Sequence, residues 1–132
     1  MDDYVDFKLK KNKDEKLMLF VLFKEKGLSD KDGGIAEKII EKYSAIIEKY
    51  KNLHIFFDTR NVKTLSPKLV WEKITVFTRI NGIAKTNVVK TALLIGSPKI
   101  KNLANVVKKV YPFVVPTVIC STNEEAMNFL EN

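Results

Sequence analysis

The chain has 132 residues, 45% hydrophobic and 30% charged, with a formal net charge of +7. That length suits one domain around one core, the composition excludes a disordered chain, and no apolar run reaches the roughly 18 residues of a membrane span. Cys120 is the only cysteine, which excludes an internal disulfide and fits a reducing, cytoplasmic setting; the acidic start "MDDYVDFKLKK" has no apolar stretch of the kind a secretory signal needs.

Residues 4–9, "YVDFKL", alternate apolar and polar as an edge strand does. "KKNKDEK" reads as a turn, and the continuously apolar "LMLFVLF" at 17–23 reads as a strand buried on both faces, so the two form a hairpin. A loop over 24–33 closes at Gly33-Gly34. In "IAEKIIEKYSAIIEKYK", Ile35, Ile39, Tyr43, Ile46, Ile47 and Tyr50 share one helical face. "IIEKY" recurs seven residues apart, which is one well-patterned helix and too short for a coiled coil. "LHIFF" at 53–57 is a buried strand that ends at Asp58. A helix is expected from Pro67 to Asn81, stopped by Asn81-Gly82. "VVKTALLI" at 88–95 is the next buried strand, followed by a helix from Pro98 to Tyr111. Pro112 and Pro116 keep "YPFVVPT" from being helical throughout. "TVIC" at 117–120 is a short strand, and Thr122 with Glu125 forms a capping box for a last helix.

The order β-β-α-β-α-β-α-β-α predicts an α/β fold. Its sheet is mainly parallel and five-stranded, with an antiparallel edge strand and helices on both faces. The tripeptide Ser-Pro-Lys occurs twice, at 66–68 and 97–99, each time between a strand and a helix. Serine is a favoured N-cap and proline a favoured first helical residue, so both copies read as helix starts. Their loops lie at the carboxyl ends of strands, where sites form in open α/β sheets.

The charge is unevenly placed. Residues 1–58 carry equal numbers of acids and bases, whereas residues 59–120 carry 11 basic side chains against Glu72 alone. The second half therefore presents a positive field to an acidic partner. Lysine supplies 21 of the 23 bases, which speaks against the bidentate readout of nucleic-acid sequence that arginine favours.

No phosphate-binding glycine loop or zinc-protease motif occurs, and one His with one Cys cannot build a common zinc site. His54 is expected near the strand end opposite Asp58 and Cys120, in a structural or surface role. Cys120 reads as a core thiol with no base beside it. Asp58 reads as the cap of its own turn. No cofactor is implied and the chain does not read as an enzyme. Trp71, with Phe77, Leu69, Val70, Ile74 and Ile80, makes a broad apolar face, and Trp71 falls off its densest part, where an interface anchor would lie. The loop with Phe113, Val114 and Val115 either folds over the core, the preferred reading, or offers an apolar patch to a partner or a second copy.

Two segments, "LHIFFDTRNVKTLSPKLVWEKI" and "VVPTVICSTNEEAMNFLE", together with the element order, resemble STAS-type domains. These include the bacterial anti-sigma-factor antagonists and the related STAS/SEC14-like proteins. The resemblance implies a single STAS-like domain over residues 1–132 with a regulatory, protein-binding role, and it makes Ser66 the counterpart of the family's phosphorylated Ser or Thr. The family's Asp-Ser-x-Gly pattern is absent here: Thr64-Leu65 precede Ser66, and Pro67 removes a backbone N–H that the family's turn offers. The expected function is binding of a protein with an acidic surface by the basic second helix and nearby turns. The residues concerned are Asp58, Arg60, Lys63, Ser66, Lys68, Trp71, Lys73, Arg79, Ser97 and Lys99. Nucleic acid or anionic lipid on the lysines between 60 and 109 is the alternative, and an apolar ligand of the SEC14 kind is the second.

Overall fold

The computed structural model describes residues 2–132 apart from the side chains of Phe77, Thr78 and Asn81, so the expected place of Phe77 on its helix's apolar face lies outside the described residues. The elements are β1 (Val5–Lys11), β2 (Leu17–Phe23), α1 (Gly33–Lys49), β3 (Leu53–Asp58), α2 (Pro67–Asn87), β4 (Val88–Leu94), α3 (Pro98–Val110), β5 (Thr117–Cys120) and α4 (Asn123–Glu131). They build one sheet in the order β1-β2-β3-β4-β5. β1 and β2 are antiparallel, from Val5 opposite Phe23 to Lys11 opposite Leu17, and the other neighbours run parallel.

The hairpin turns where Asn12 allows it. Its side-chain oxygen accepts hydrogen bonds from the amides of Asp14 and Lys16, each at 2.9 Å, as an Asx turn requires. Because the parallel strands follow chain order, right-handed crossovers put α1, α2 and α3 on one face. Leu19, Val21, Leu53 and Ile55 pack there against Ile39, Ile40 and Ile47 of α1 and Ile80 and Ala84 of α2. α4 covers the other face, where Met18, Phe56, Ala92 and Cys120 meet Ala126 and Leu130. Burial from both sides explains why β2 and β3 are apolar without alternation.

α2 departs from the sequence expectation. It runs through Asn81-Gly82 to Asn87. A helical glycine costs roughly 1 kcal/mol relative to alanine, but Ile83 and Ala84 beyond it continue the core-facing side, and Asn87 Nδ2 donates to the Ile47 carbonyl at 2.6 Å. Packing outweighs the local stop signal.

Candidate functional site

Both Ser-Pro-Lys copies begin helices as expected. Ser66 Oγ accepts from the Leu69 amide at 3.1 Å and Ser97 Oγ from the Ile100 amide at 3.5 Å, with proline in the first turn each time. Thr122 likewise caps α4, accepting from the Glu125 amide at 3.2 Å.

The turns before α2 and α3 lie side by side at the carboxyl edge of the sheet. The Thr59 amide and hydroxyl both donate to the Leu94 carbonyl, at 2.9 and 2.8 Å. A methyl group on Gly96 would lie 3.3 Å from the Arg60 carbonyl oxygen, so the two turns are in backbone contact. Asp58 closes its own turn: its carboxylate accepts from the Arg60 amide at 3.0 Å and from Arg60 Nε and Nη2 at 3.1 and 2.8 Å. Burial alone would raise the Asp58 carboxyl, but the Arg60 hydrogen bonds and charge outweigh it and hold the pKa below the ordinary value.

A third segment joins this edge, and the sequence reading did not foresee it. Leu28 pairs with Leu65 in a parallel bridge. The Leu28 amide donates to the Thr64 carbonyl at 3.2 Å, and the Ser66 amide to the Leu28 carbonyl at 2.8 Å. The Ser66 hydroxyl donates to the Asp30 carboxylate, so a phosphate at Ser66 would face a like charge and displace the cap. Gly27 is closely opposed to Thr64 at this contact.

The structure brings Asp58, Arg60 and Ser66 into the turn before α2 and Ser97 and Lys99 into the turn before α3. Trp71 stands in the second turn of α2, 38% exposed. Lys63, Arg79 and Lys99 are exposed and have no ion pair among the described residues. Lys68 reaches Glu72 only at 4.0 Å. Lys73 is drawn away: it pairs with Glu37 of α1 at 2.7 Å, and that hydrogen bond and charge lower the Glu37 pKa.

The chemistry-bearing side chains stand apart from one another. Cys120 is buried, and desolvation, with Glu125 nearby, pushes its thiol pKa up; a protonated thiol is a poor nucleophile. Among the described residues, no group of three or more His, Cys, Asp and Glu is placed to hold a metal ion, and no helix is long and apolar enough to cross a membrane. Between the sheet and the helices α1, α2 and α3 lies an apolar cavity of about 390 Å³, walled in part by Phe57, Ile74, Leu93, Leu103 and Val107. The loop after α3 closes over it as the preferred reading expected: Phe113, Val114 and Val115 all line the cavity, with Phe113 and Val114 also partly exposed.

His54 is buried on β3 opposite Met18 and Lys90, at the sheet edge away from Asp58. Its Nδ1 has no hydrogen-bond partner among the described residues. Desolvation first, and the Lys16 charge second, lower its pKa below the ordinary 6.5. The unfolded chain therefore binds this proton more readily than the folded one, and stability falls as the pH drops below the unfolded value. The lowered carboxyls of Asp32, Glu37 and Asp58 add stability that is lost only on further acidification, near and below their ordinary values of 3.8 to 4.5. Chemical denaturation between about pH 7.5 and pH 5.5 should therefore show a loss of stability that His54→Leu removes. An equal loss in both proteins would exclude His54 as its source.

No family model matches the chain, and no curated protein matches it. Solved structures similar in fold include the following two. An uncharacterised protein of the DUF3478 family with a SpoIIAA-like fold, from Shewanella loihica PV-4, is 12% identical, with 96% of this chain and 94% of that one covered and a TM-score of 0.61. The anti-sigma factor antagonist SpoIIAA in its unphosphorylated form is 16% identical, with 96% of each chain covered and a TM-score of 0.57. At these identities the likeness establishes the fold: a SpoIIAA-like α/β sheet, as the STAS resemblance implied.

Proposed function

We propose that this chain is a non-enzymatic regulatory domain of the cytoplasm that binds a protein partner with an acidic surface. Binding uses α2 and the turns at 58–66 and 96–99. The observation that carries this reading is the half-exposed Trp71 beside three interlocked backbone segments at the carboxyl edge of the sheet. Trp71 supplies desolvated apolar contact. Lys63, Lys68, Arg79 and Lys99 steer the partner, with Lys73 and Arg60 held by their own carboxylates. Solved relatives in fold include an anti-sigma factor antagonist, which supports a regulatory role. Phosphorylation of Ser66, opposed to Asp30, would undo the cap of α2 and so weaken binding. The cavity supports an apolar-ligand reading, but that reading leaves the exposed Trp71 and the joined turns without a role.

Affinity capture with the wild-type chain and Trp71→Ala, each eluted by a salt series, tests the proposal. The substitution is expected to cost roughly 2 kcal/mol of binding or more. Salt should slow association by screening exposed charges beyond about 8–10 Å. Retention of polyanions alone, indifferent to Trp71 and lost steeply with salt, would replace the protein partner with nucleic acid.

A further inference from the structure

The two faces of the sheet are sealed unequally. On the α4 side, Phe56, Ala92 and Leu94 of the central strands β3 and β4 are buried. On the other side, their neighbours Phe57, Thr91 and Leu93 stay partly exposed beneath three helices, because they line the apolar cavity of about 390 Å³. α3 leaves the same gap from above. Leu103, Ala104 and Val107 face the cavity without being buried, and Ile100 alone of the described residues on that helix is buried. α3 therefore stands off the sheet it covers.

Protein interiors pack about as densely as organic crystals, with few voids larger than a water molecule. Water gains little in a space whose walls offer few hydrogen bonds, and apolar cavities take up apolar molecules instead. The volume falls within the roughly 300–1,000 Å³ of small-molecule sites. Tyr43 of α1 lines the cavity, its ring against Phe57 with the centroids 5.4 Å apart. The Tyr43 hydroxyl has no hydrogen-bond partner among the described residues, and the Thr91 hydroxyl has none either. Burial pushes the Tyr43 pKa up, so its hydroxyl keeps its proton and remains a donor. A desolvated donor without an acceptor is costly, and a ligand that accepts from it removes that cost. Two lysines belong to the lining. Lys73 is already paired with Glu37 at 2.7 Å, and Lys26 is exposed, with Nζ 5.0 Å from the Tyr4 ring centroid. A carboxylate carried into the apolar space would thus go unpaired.

We propose that this cavity binds an uncharged apolar molecule with one hydrogen-bond acceptor, anchored by the Tyr43 hydroxyl. The occupant fills the gap between α3 and the sheet and gives the loop after α3 a surface to close on. This is a second site, inside the fold. It goes beyond the partner-binding reading, whose anchor, Trp71, does not line the cavity.

The test is a titration of phenylnaphthylamine, an uncharged apolar dye, with the full chain. Its emission should brighten and shift to the blue. Decanol should displace it at least about tenfold more effectively than decanoate, whose charge finds no partner inside. Ala104→Phe and, separately, Leu103→Trp fill the cavity from α3. Each, with its fold checked by circular dichroism, should bind the dye at least about tenfold more weakly. Tyr43→Phe should weaken displacement by decanol about two- to tenfold, the range of one neutral hydrogen bond. It should leave displacement by naphthalene, which has no acceptor, unchanged, and so separates the hydrogen bond from a general loosening of the packing. The proposal is overturned by a dye that does not brighten or by brightening that both cavity-filling variants retain. Equal displacement by decanoate, or an equal effect of Tyr43→Phe on decanol and naphthalene, would overturn it as well. No protein partner enters this titration, so its failure would leave the Trp71 experiment untouched.

Discussion

Gly27→Ala should destabilise the fold by about 2–3 kcal/mol, an overpacking cost with a backbone in the way. A methyl group on Gly27 would stand 2.1 Å from the Thr64 carbonyl oxygen and 2.2 Å from its Oγ1. The carbonyl cannot swing aside without loss of its hydrogen bond from the Leu28 amide. Backbone dihedrals are not the reason, since the only positive-φ residues are Glu15 and Asn52 among those described. The effect should spread from the 27–32 segment to the Ser66 cap, because Leu28 also accepts from the Ser66 amide. Gly34→Ala is the matched control. It has open space around it in the first turn of α1, and alanine there should be neutral or stabilising by up to about 1 kcal/mol. Urea denaturation of the two variants checks both values, and equal midpoints would refute the close approach at Gly27.

Ile47→Ala should cost about 3–4 kcal/mol. Ile47 is 0% exposed and packs in the cluster shared by α1, α2 and the sheet. Its carbonyl also receives Asn87 Nδ2 at the end of α2, so a collapse of the cavity would pull on both helices. Val106→Ala, at a position of α3 that is 49% exposed, should change stability by no more than about 0.5 kcal/mol. Thermal or urea unfolding of the pair separates a core position from a surface one. A small loss at Ile47 would mean that α1 does not seat as described.

The sequence made the strand and helix order readable because each element obeys a short-range rule. The alternation in β1, the unbroken apolar runs of β2 and β3 and the two Ser-Pro starts all act within a few residues. Spatial strand order is not such a property, and it alone puts three helices on one face. The continuation of α2 past Gly82 was unreadable for the same reason, since Ile83 and Ala84 gain their burial from a sheet formed elsewhere.

The candidate site was half legible. Strand-to-helix turns pointed to Asp58, Ser66 and Ser97, and Trp71 stood out because it left the apolar face. The bridge from Leu28 to Leu65 and the pair between Lys73 and Glu37 join residues 36 or more positions apart. Glycine spacing and charge counts carry no record of such pairings. They matter here because they fix which cations reach a partner and tie the loop after β2 to the helix that presents Trp71.

The most direct measurement is amide hydrogen exchange of the domain alone and with the protein captured on it. Protection should rise over residues 58–71 and 96–99, with α4 and the outer strand β1 unchanged, and Trp71→Ala should abolish the gain. Protection confined to α4 or β1, or a footprint that Trp71→Ala leaves intact, would contradict a partner site built on α2 and its neighbouring turns.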